Sequence, residues 1–196
     1  MLLQPIIDNI SRHIILTEEN KNNIISKFRL KKTEKREILL HEGQIASDVA
    51  FVLSGCLRSY SVDENGFEHI LQFAPADWWI TDMYSFISNK KAFLNIEVIN
   101  AGEIALLSRK DQLQLFEEVP ALERYFRIIT ENALVSSRQR LVDNLSLTAR
   151  QRYDQFCETY PSLVNDIPQK LIASYIGVTP EFLSKMRSDY QRQTKP

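Results

Sequence analysis

The chain has 196 residues, 44% hydrophobic and 25% charged, with a net charge of −1, a balance that suits one large or two small globular domains and excludes a strongly cationic nucleic-acid coat. No apolar run approaches the roughly 18 residues that span a bilayer, and MLLQPIIDNISRHIIL interrupts its apolar pattern with Asp8, Arg12 and His13 and lacks a small-residue cleavage site, so neither a membrane partner nor a signal peptide is expected and the expected location is cytoplasmic. Cys56 and Cys157 stand about a hundred positions apart, and His13, His41 and His69 are scattered, which offers no metal-ligand spacing.

Residues 3–28 carry the spacing of one or two amphipathic helices. Short segments rich in Val, Ile, Leu, Phe and Tyr follow, closed by Gly43, Gly55, Gly66 and Gly102; glycine supplies positive φ at turns without steric cost. Asn65-Gly66 predicts a type I′ hairpin turn. FLNIEVINAG and EIALLS predict a further strand pair, so residues 28–108 read as an antiparallel sandwich or roll. Ser108 is placed to cap a short helix, RKDQLQLFEEV. Pro120 then opens a long one, with an apolar stripe through Leu122, Phe126, Ile129 and Ala133 and onward through Leu134, Leu141, Val142 and Leu145. A helix of about 26 residues is about 39 Å long, more than a small roll can cover, so pairing with its copy in a homodimer is expected over 120–146. The stretch 144–148 breaks the pattern, and Thr148 with Gln151 forms a capping box that starts a new helix ending before Pro161.

The last stretch, IPQKLIASYIGVTPEFLSKMRSDY, reads as helix–turn–helix. Leu171, Ile172, Tyr175 and Ile176 mark one buried face. Gly177 permits the turn, Thr179 is a good N-cap and Pro180 suits the first helical position. Leu183, Met186 and Tyr190 give the buried face of the second helix, leaving Glu181, Phe182, Ser184, Lys185 and Ser188 exposed and Arg187 at the edge. Such a helix can present its N-terminal turns to base edges. From Leu147 onward the chain carries +2, the remainder −3, which permits DNA binding there.

A roll, a long helix and a terminal helix–turn–helix together resemble the CRP/FNR family of bacterial transcription regulators. LLHEGQIASDVAFVLSGCLRSYSVDENGFEHILQF is similar to the family's opening strands and IASYIGVTPEFLSKMR to its helix–turn–helix, with TPE-x-L-S-K-x-R resembling a Bacteroidetes-type branch. The resemblance implies an α+β chain: an N-terminal antiparallel β roll of jelly-roll type with flanking helices and a dimerisation helix (1–146), then a small all-α DNA-binding domain (147–196); many relatives add a β-hairpin wing, for which Gln191 to Pro196 are expected to leave no room. It implies a dimeric regulator, not an enzyme, with double-stranded DNA and RNA polymerase as partners. The DNA-contacting set would be Gln169, Lys170, Thr179, Pro180, Glu181, Ser184, Lys185, Arg187 and Ser188, with Arg192 and Lys195 adding phosphate attraction.

Members that bind cyclic AMP hold its phosphate with a Gly-Glu pair, a short helix and an arginine. Here Thr81-Asp82 stand at the Gly-Glu position, Ala92 near the arginine position, Lys90 and Lys91 as the nearby cations, and Val135-Ser136 where relatives carry a Thr-Ser pair. Lysine offers a point charge without a bidentate fork, so cyclic AMP is not expected to bind and no cofactor is expected. A residual pocket for another small molecule would draw on Leu71, Trp79, Thr81, Asp82, Tyr84, Lys90, Lys91 and Ser136, unless Trp78, Trp79 and Tyr84 are core. Two other readings compete: a small-molecule-binding adaptor without a DNA role, and a cupin-type metalloenzyme.

Overall fold

In a computed structural model the structure describes residues 2–193, with side chains through Asp189. The elements are α1 (Gln4–Ser11), α2 (Glu18–Ser26), β1 (Arg29–Thr33), β2 (Ile38–Leu40), β3 (Asp48–Val52), β4 (Cys56–Val62), β5 (Glu68–Pro75), β6 (Trp79–Ile80), α3 (Met83–Ser88), β7 (Asn95–Asn100), β8 (Gly102–Ser108), α4 (Arg109–Glu118), α5 (Ala121–Ser146), α6 (Ala149–Thr159), α7 (Gln169–Ile176) and α8 (Pro180–Gln193). They fall into two compact units. One holds the chain up to Ser61 and Gln72–Ala133; the other holds Val62–Leu71 and the chain from Leu134 onward. No helix among the described residues is long and apolar enough to cross a membrane.

The strands form two four-stranded sheets, ordered β1-β8-β3-β6 and β2-β7-β4-β5. β7 and β8, expected to pair with each other, belong to different sheets. A single residue, Ala101, separates them, too few for a hairpin turn, so the chain crosses from one sheet to the other. Gly55 and Gly102 make that corner possible. A Cβ on Gly102 would lie 2.2 Å from the Ser54 carbonyl oxygen, and one on Gly55 2.5 Å from that of Asn100. Gly102 therefore serves close backbone approach rather than positive φ. The Thr33 hydroxyl donates to the Gly102 carbonyl and accepts from its N–H, holding the end of β1 against β8.

The first unit's core is continuous. Ile6, Ile7 and Ile10 of α1 and Ile24 of α2 pack with Phe51, Leu57, Ile96, Ile104 and Leu107 of the strands and with Leu115, Leu122 and Tyr125; each fully buried aliphatic side chain contributes about 1.5–3 kcal/mol. Tyr125, which the apolar stripe did not single out, is fully buried. Its hydroxyl accepts from Trp79 Nε1 at 2.7 Å and donates to Asn9 Oδ1 at 2.5 Å. Asn9 passes the chain on, donating to the carboxylate and carbonyl of Asp77, whose φ is +74°. Four polar groups from α1, the β5–β6 turn, β6 and α5 thus satisfy one another inside an apolar unit. Burial pushes the Tyr125 hydroxyl well above the usual phenol range, against a weaker pull from the Trp79 hydrogen bond, so it stays protonated and keeps donating.

The turn at Asp63–Gly66 departs from the type I′ expectation. Among the described non-glycine residues only Arg36, Asp77 and Asn89 have positive φ, so Asn65 does not. Gly66 alone does, at +82°. Its N–H reaches the Asp63 carbonyl, the Asp63 N–H reaches the Phe67 carbonyl, and the Asp63 carboxylate accepts from the N–H groups of Asn65 and Phe67. This is a type I turn closed by a glycine bulge. The aspartate side chain wins because it supplies an acceptor for two N–H groups that a two-residue loop would leave to water.

In the second unit α6, α7 and α8 bury Tyr153, Phe156, Tyr160, Leu171, Ile172, Ala173, Ile176 and Leu183. Thr148 and Gln151 form the reciprocal capping box at the start of α6. Arg152 donates to the carbonyls of Ile176 and Leu147, satisfying the end of α7. Arg140 of α5 donates to the carbonyls of Ile70, Leu71 and Tyr175, and its guanidinium lies 4.0 Å from the Tyr175 ring centroid. The Ser174 hydroxyl donates to the Glu68 carbonyl and accepts from Ile70 N–H. The first half of β5, the end of α5 and α7 are thereby fastened together.

Candidate nucleic-acid interface

The turn between α7 and α8 is built from local chemistry. Gly177 adopts the left-handed conformation at φ +70°. Its N–H bonds to the Ser174 carbonyl and the Val178 N–H to the Ala173 carbonyl, the paired bonds of a Schellman motif. Thr179 then caps α8, its hydroxyl accepting from Phe182 N–H at 3.2 Å. Pro180 takes the first helical position and Glu181 the first turn, where a carboxylate complements the positive end of the helix dipole.

Leu183 is fully buried, which turns the opposite side of α8 to solvent. Thr179, Pro180, Glu181, Ser184, Lys185 and Ser188 are all exposed there, as are Gln169 and Lys170 at the start of α7. Seven of these eight expected contacts stand at the first turns of two consecutive helices, and Ser188 follows one turn further along α8. Arg187 behaves differently. It is half-buried and its guanidinium stands 5.8 Å from the Tyr153 ring centroid, so it braces α8 against α6. The side chains of Tyr190 and Arg192, and Lys195 entirely, lie outside the described residues. Burial pushes the Cys157 thiol and the Tyr153 hydroxyl up, which makes the pair a neutral part of this packing.

Within the first unit, several of the residues expected to line an effector pocket are engaged elsewhere. Trp79 packs edge-on to Phe51 at 5.0 Å and against Phe126 at 5.6 Å, and its N–H is taken by Tyr125; it is core. Asp82 is buried and fully used, accepting from the N–H groups of Ser85, Phe93 and Leu94. That makes it the N-cap of α3, a six-residue helix the sequence pattern was too short to announce. Thr81 donates to the Asp48 carbonyl. Tyr84 is exposed and its ring lies tilted against Phe93, with centroids 4.7 Å apart, while Lys90 and Lys91 are exposed. Leu71 and Ser136, both exposed, belong to the other unit. His69 pairs with Asp63 at 2.9 Å, and no group of three His, Cys, Asp or Glu among the described residues is placed to hold a metal ion.

The α5 helix changes character along its length. Leu122 and Tyr125 are buried and Phe126 and Ile129 half-buried, whereas Leu134, Val135, Leu141, Val142 and Leu145 are exposed, Leu145 at 83%.

Comparison with known proteins places these features. Residues 30–119 match the cyclic nucleotide-binding domain family. No curated protein sequence matches the chain. Solved structures of the same fold include the c-di-GMP responsive global regulator CLP of Xanthomonas campestris, with 13% identity over 90% of this chain and 93% of that one and a TM-score of 0.72. FixK2 of Bradyrhizobium japonicum has 20% identity over 85% of each chain and a TM-score of 0.74. The catabolite activator protein of Thermus thermophilus has 18% identity over 94% of this chain and 87% of that one and a TM-score of 0.59. A structure described as a transcriptional regulator of the crp/fnr family, from Eubacterium rectale, has 14% identity over 91% of this chain and 85% of that one and a TM-score of 0.69.

Proposed function

We propose that this protein is a homodimeric, sequence-specific DNA-binding transcription regulator, a reading supported by the match of residues 30–119 to the cyclic nucleotide-binding domain family and by the fold that most of the chain shares with solved regulators. The observation that carries the reading is the α7–α8 pair. A Schellman turn and a threonine cap fix an α8 whose buried side is apolar and whose opposite side presents Glu181, Ser184 and Lys185 in its first two turns. That is the placement a recognition helix needs in a major groove, with Lys185 donating to guanine or phosphate and Glu181 accepting from a cytosine amino group. Gln169 and Lys170 at the start of α7 supply phosphate contacts.

The exposed apolar stripe at the end of α5 supports pairing with a second copy. Five large side chains in contiguous turns are an interface rather than a solvated surface. Two α8 helices related by a two-fold axis would then read half-sites about 34 Å apart. In this reading residues 1–146 sense and dimerise, 147–196 read DNA, and the junction at 144–148 carries the signal, with RNA polymerase as the downstream partner. The engagement of Asp82 in capping, and Ala92 near the position of the arginine with only Lys90 and Lys91 as nearby cations, support a pocket that has lost its grip on cyclic AMP.

A mobility-shift titration on fragments selected from random DNA tests the proposal. Lys185→Ala is expected to weaken binding at least tenfold, since both copies lose the contact, while Leu141→Glu is expected to give monomers by sedimentation and abolish shifted complexes. Equal affinity of Lys185→Ala and wild type would remove the placement of α8 in the groove.

A further inference from the structure

We propose that Phe182 reads a thymine through its 5-methyl group, an inference that rests on the DNA-binding role just argued. Phe182 is 51% exposed, and from α6 onward it is the one large hydrophobic side chain with that exposure among the described residues. It has no ring or cation partner among them. Its backbone is held firmly, because its N–H is the group that Thr179 caps. It precedes the buried Leu183 and so lies about 100° around the helix from the core-facing line. It sits beside Lys185, on the same exposed first turns that carry Glu181. An apolar ring anchored among polar groups on a reading surface has one counterpart in the major groove. Of the four bases only thymine presents a methyl there. Glu181 and Lys185 match the polar edges of a G·C pair, so the half-site should join a G·C pair to an adjacent A·T pair whose thymine methyl meets Phe182.

The test uses the full chain and an operator obtained by selection from random DNA. Each thymine is replaced singly by deoxyuridine, which keeps pairing and the O4 acceptor and lacks only the methyl. At one position per half-site the wild type is expected to lose about fourfold in affinity, and about sixteenfold when both half-sites are changed, the worth of one buried carbon each. Phe182→Ala should bind the thymine operator more weakly and be indifferent to the replacement, whereas Phe182→Leu should keep part of the sensitivity. A wild type that binds selectively yet ignores every replacement overturns this inference and leaves the regulator reading intact, and so does a Phe182→Ala protein that keeps the full sensitivity. A wild type that selects no DNA sequence overturns both.

Discussion

Replacing Tyr125 by Phe removes one oxygen from the centre of the first unit and asks whether the buried relay stabilises it. Two groups lose their partner at once: Trp79 Nε1–H, which donates at 2.7 Å, and Asn9 Oδ1, which accepts at 2.5 Å. A buried polar group left unpaired costs about 1–3 kcal/mol. Asn9 is 9% exposed and bears the full penalty; Trp79 is half-buried, and water relieves part of its share. The expected loss is therefore about 2–4 kcal/mol. Both tryptophans lie in the first unit, so their fluorescence follows its unfolding in urea. With a slope of about 1–3 kcal/mol/M the midpoint should fall by roughly 1–2 M at unchanged slope. On an Asn9→Ala background the same substitution should cost at least about 1 kcal/mol less, because one of the two orphaned groups is already gone. A loss below about 0.5 kcal/mol in the single variant would show that water or repacking replaces the hydroxyl, and the relay would be ornament.

Three further outcomes are expected. Gly102→Ala drives a Cβ to 2.2 Å from the Ser54 carbonyl, so it should cost about 3 kcal/mol or more by thermal melting, with Gly55→Ala close behind because strained φ adds to its clash. Arg140→Met leaves the Ile70, Leu71 and Tyr175 carbonyls without their shared donor; the second unit should lose about 2–4 kcal/mol, read from hydrogen exchange of α7 amides. The Asp63 carboxylate is held below its ordinary range first by the hydrogen bond from His69 and then by Phe67 N–H. A depressed carboxylate stabilises the turn above its unfolded pKa and loses that contribution as pH falls through the folded value. Asp63→Ala should therefore raise the temperature coefficients of the Asn65 and Phe67 amides at pH 7, and the difference from wild type should vanish in strong acid.

What the sequence disclosed was mostly what local chemistry decides. The caps at Ser108, Thr148 and Thr179 form as expected because an N-cap needs only its own next three residues. Gly177 ends α7 for the same reason. Pairing is a different matter. β7 and β8 look like a hairpin in one dimension, and only the corner at Gly55 and Gly102 shows why they separate. The Asn65-Gly66 pair carried the right position and the wrong turn type, since the deciding acceptor sits two residues earlier on Asp63. At the interface, exposure of Glu181, Ser184 and Lys185 follows from helical spacing. That Arg187 leans on Tyr153 does not, because the ring comes from another helix. Asp82 was read as a pocket residue and Tyr125 went unremarked for one reason: a polar side chain in an apolar stretch reveals its task only when its partners, for Tyr125 as far as 116 positions away, are in place.

The register of β1 also has a bearing on how the chain is made. Arg29 pairs with Leu106 and Thr33 with Gly102, so this strand leaves the ribosome about 75 residues ahead of its only sheet neighbour. At 5–20 residues per second that is a wait of about 4–15 s, during which a row of free backbone groups could recruit another nascent chain. Four of its five residues, Arg29-Leu30-Lys31-Lys32, are exposed in the finished fold, and three of those four are cationic. Charge on an unpaired edge repels copies of itself. The cations of RLKKT thus disfavour pairing with a second copy of the strand while it is unpaired, and in the finished sheet Arg29 and Lys31 turn to Asp48 and Glu37.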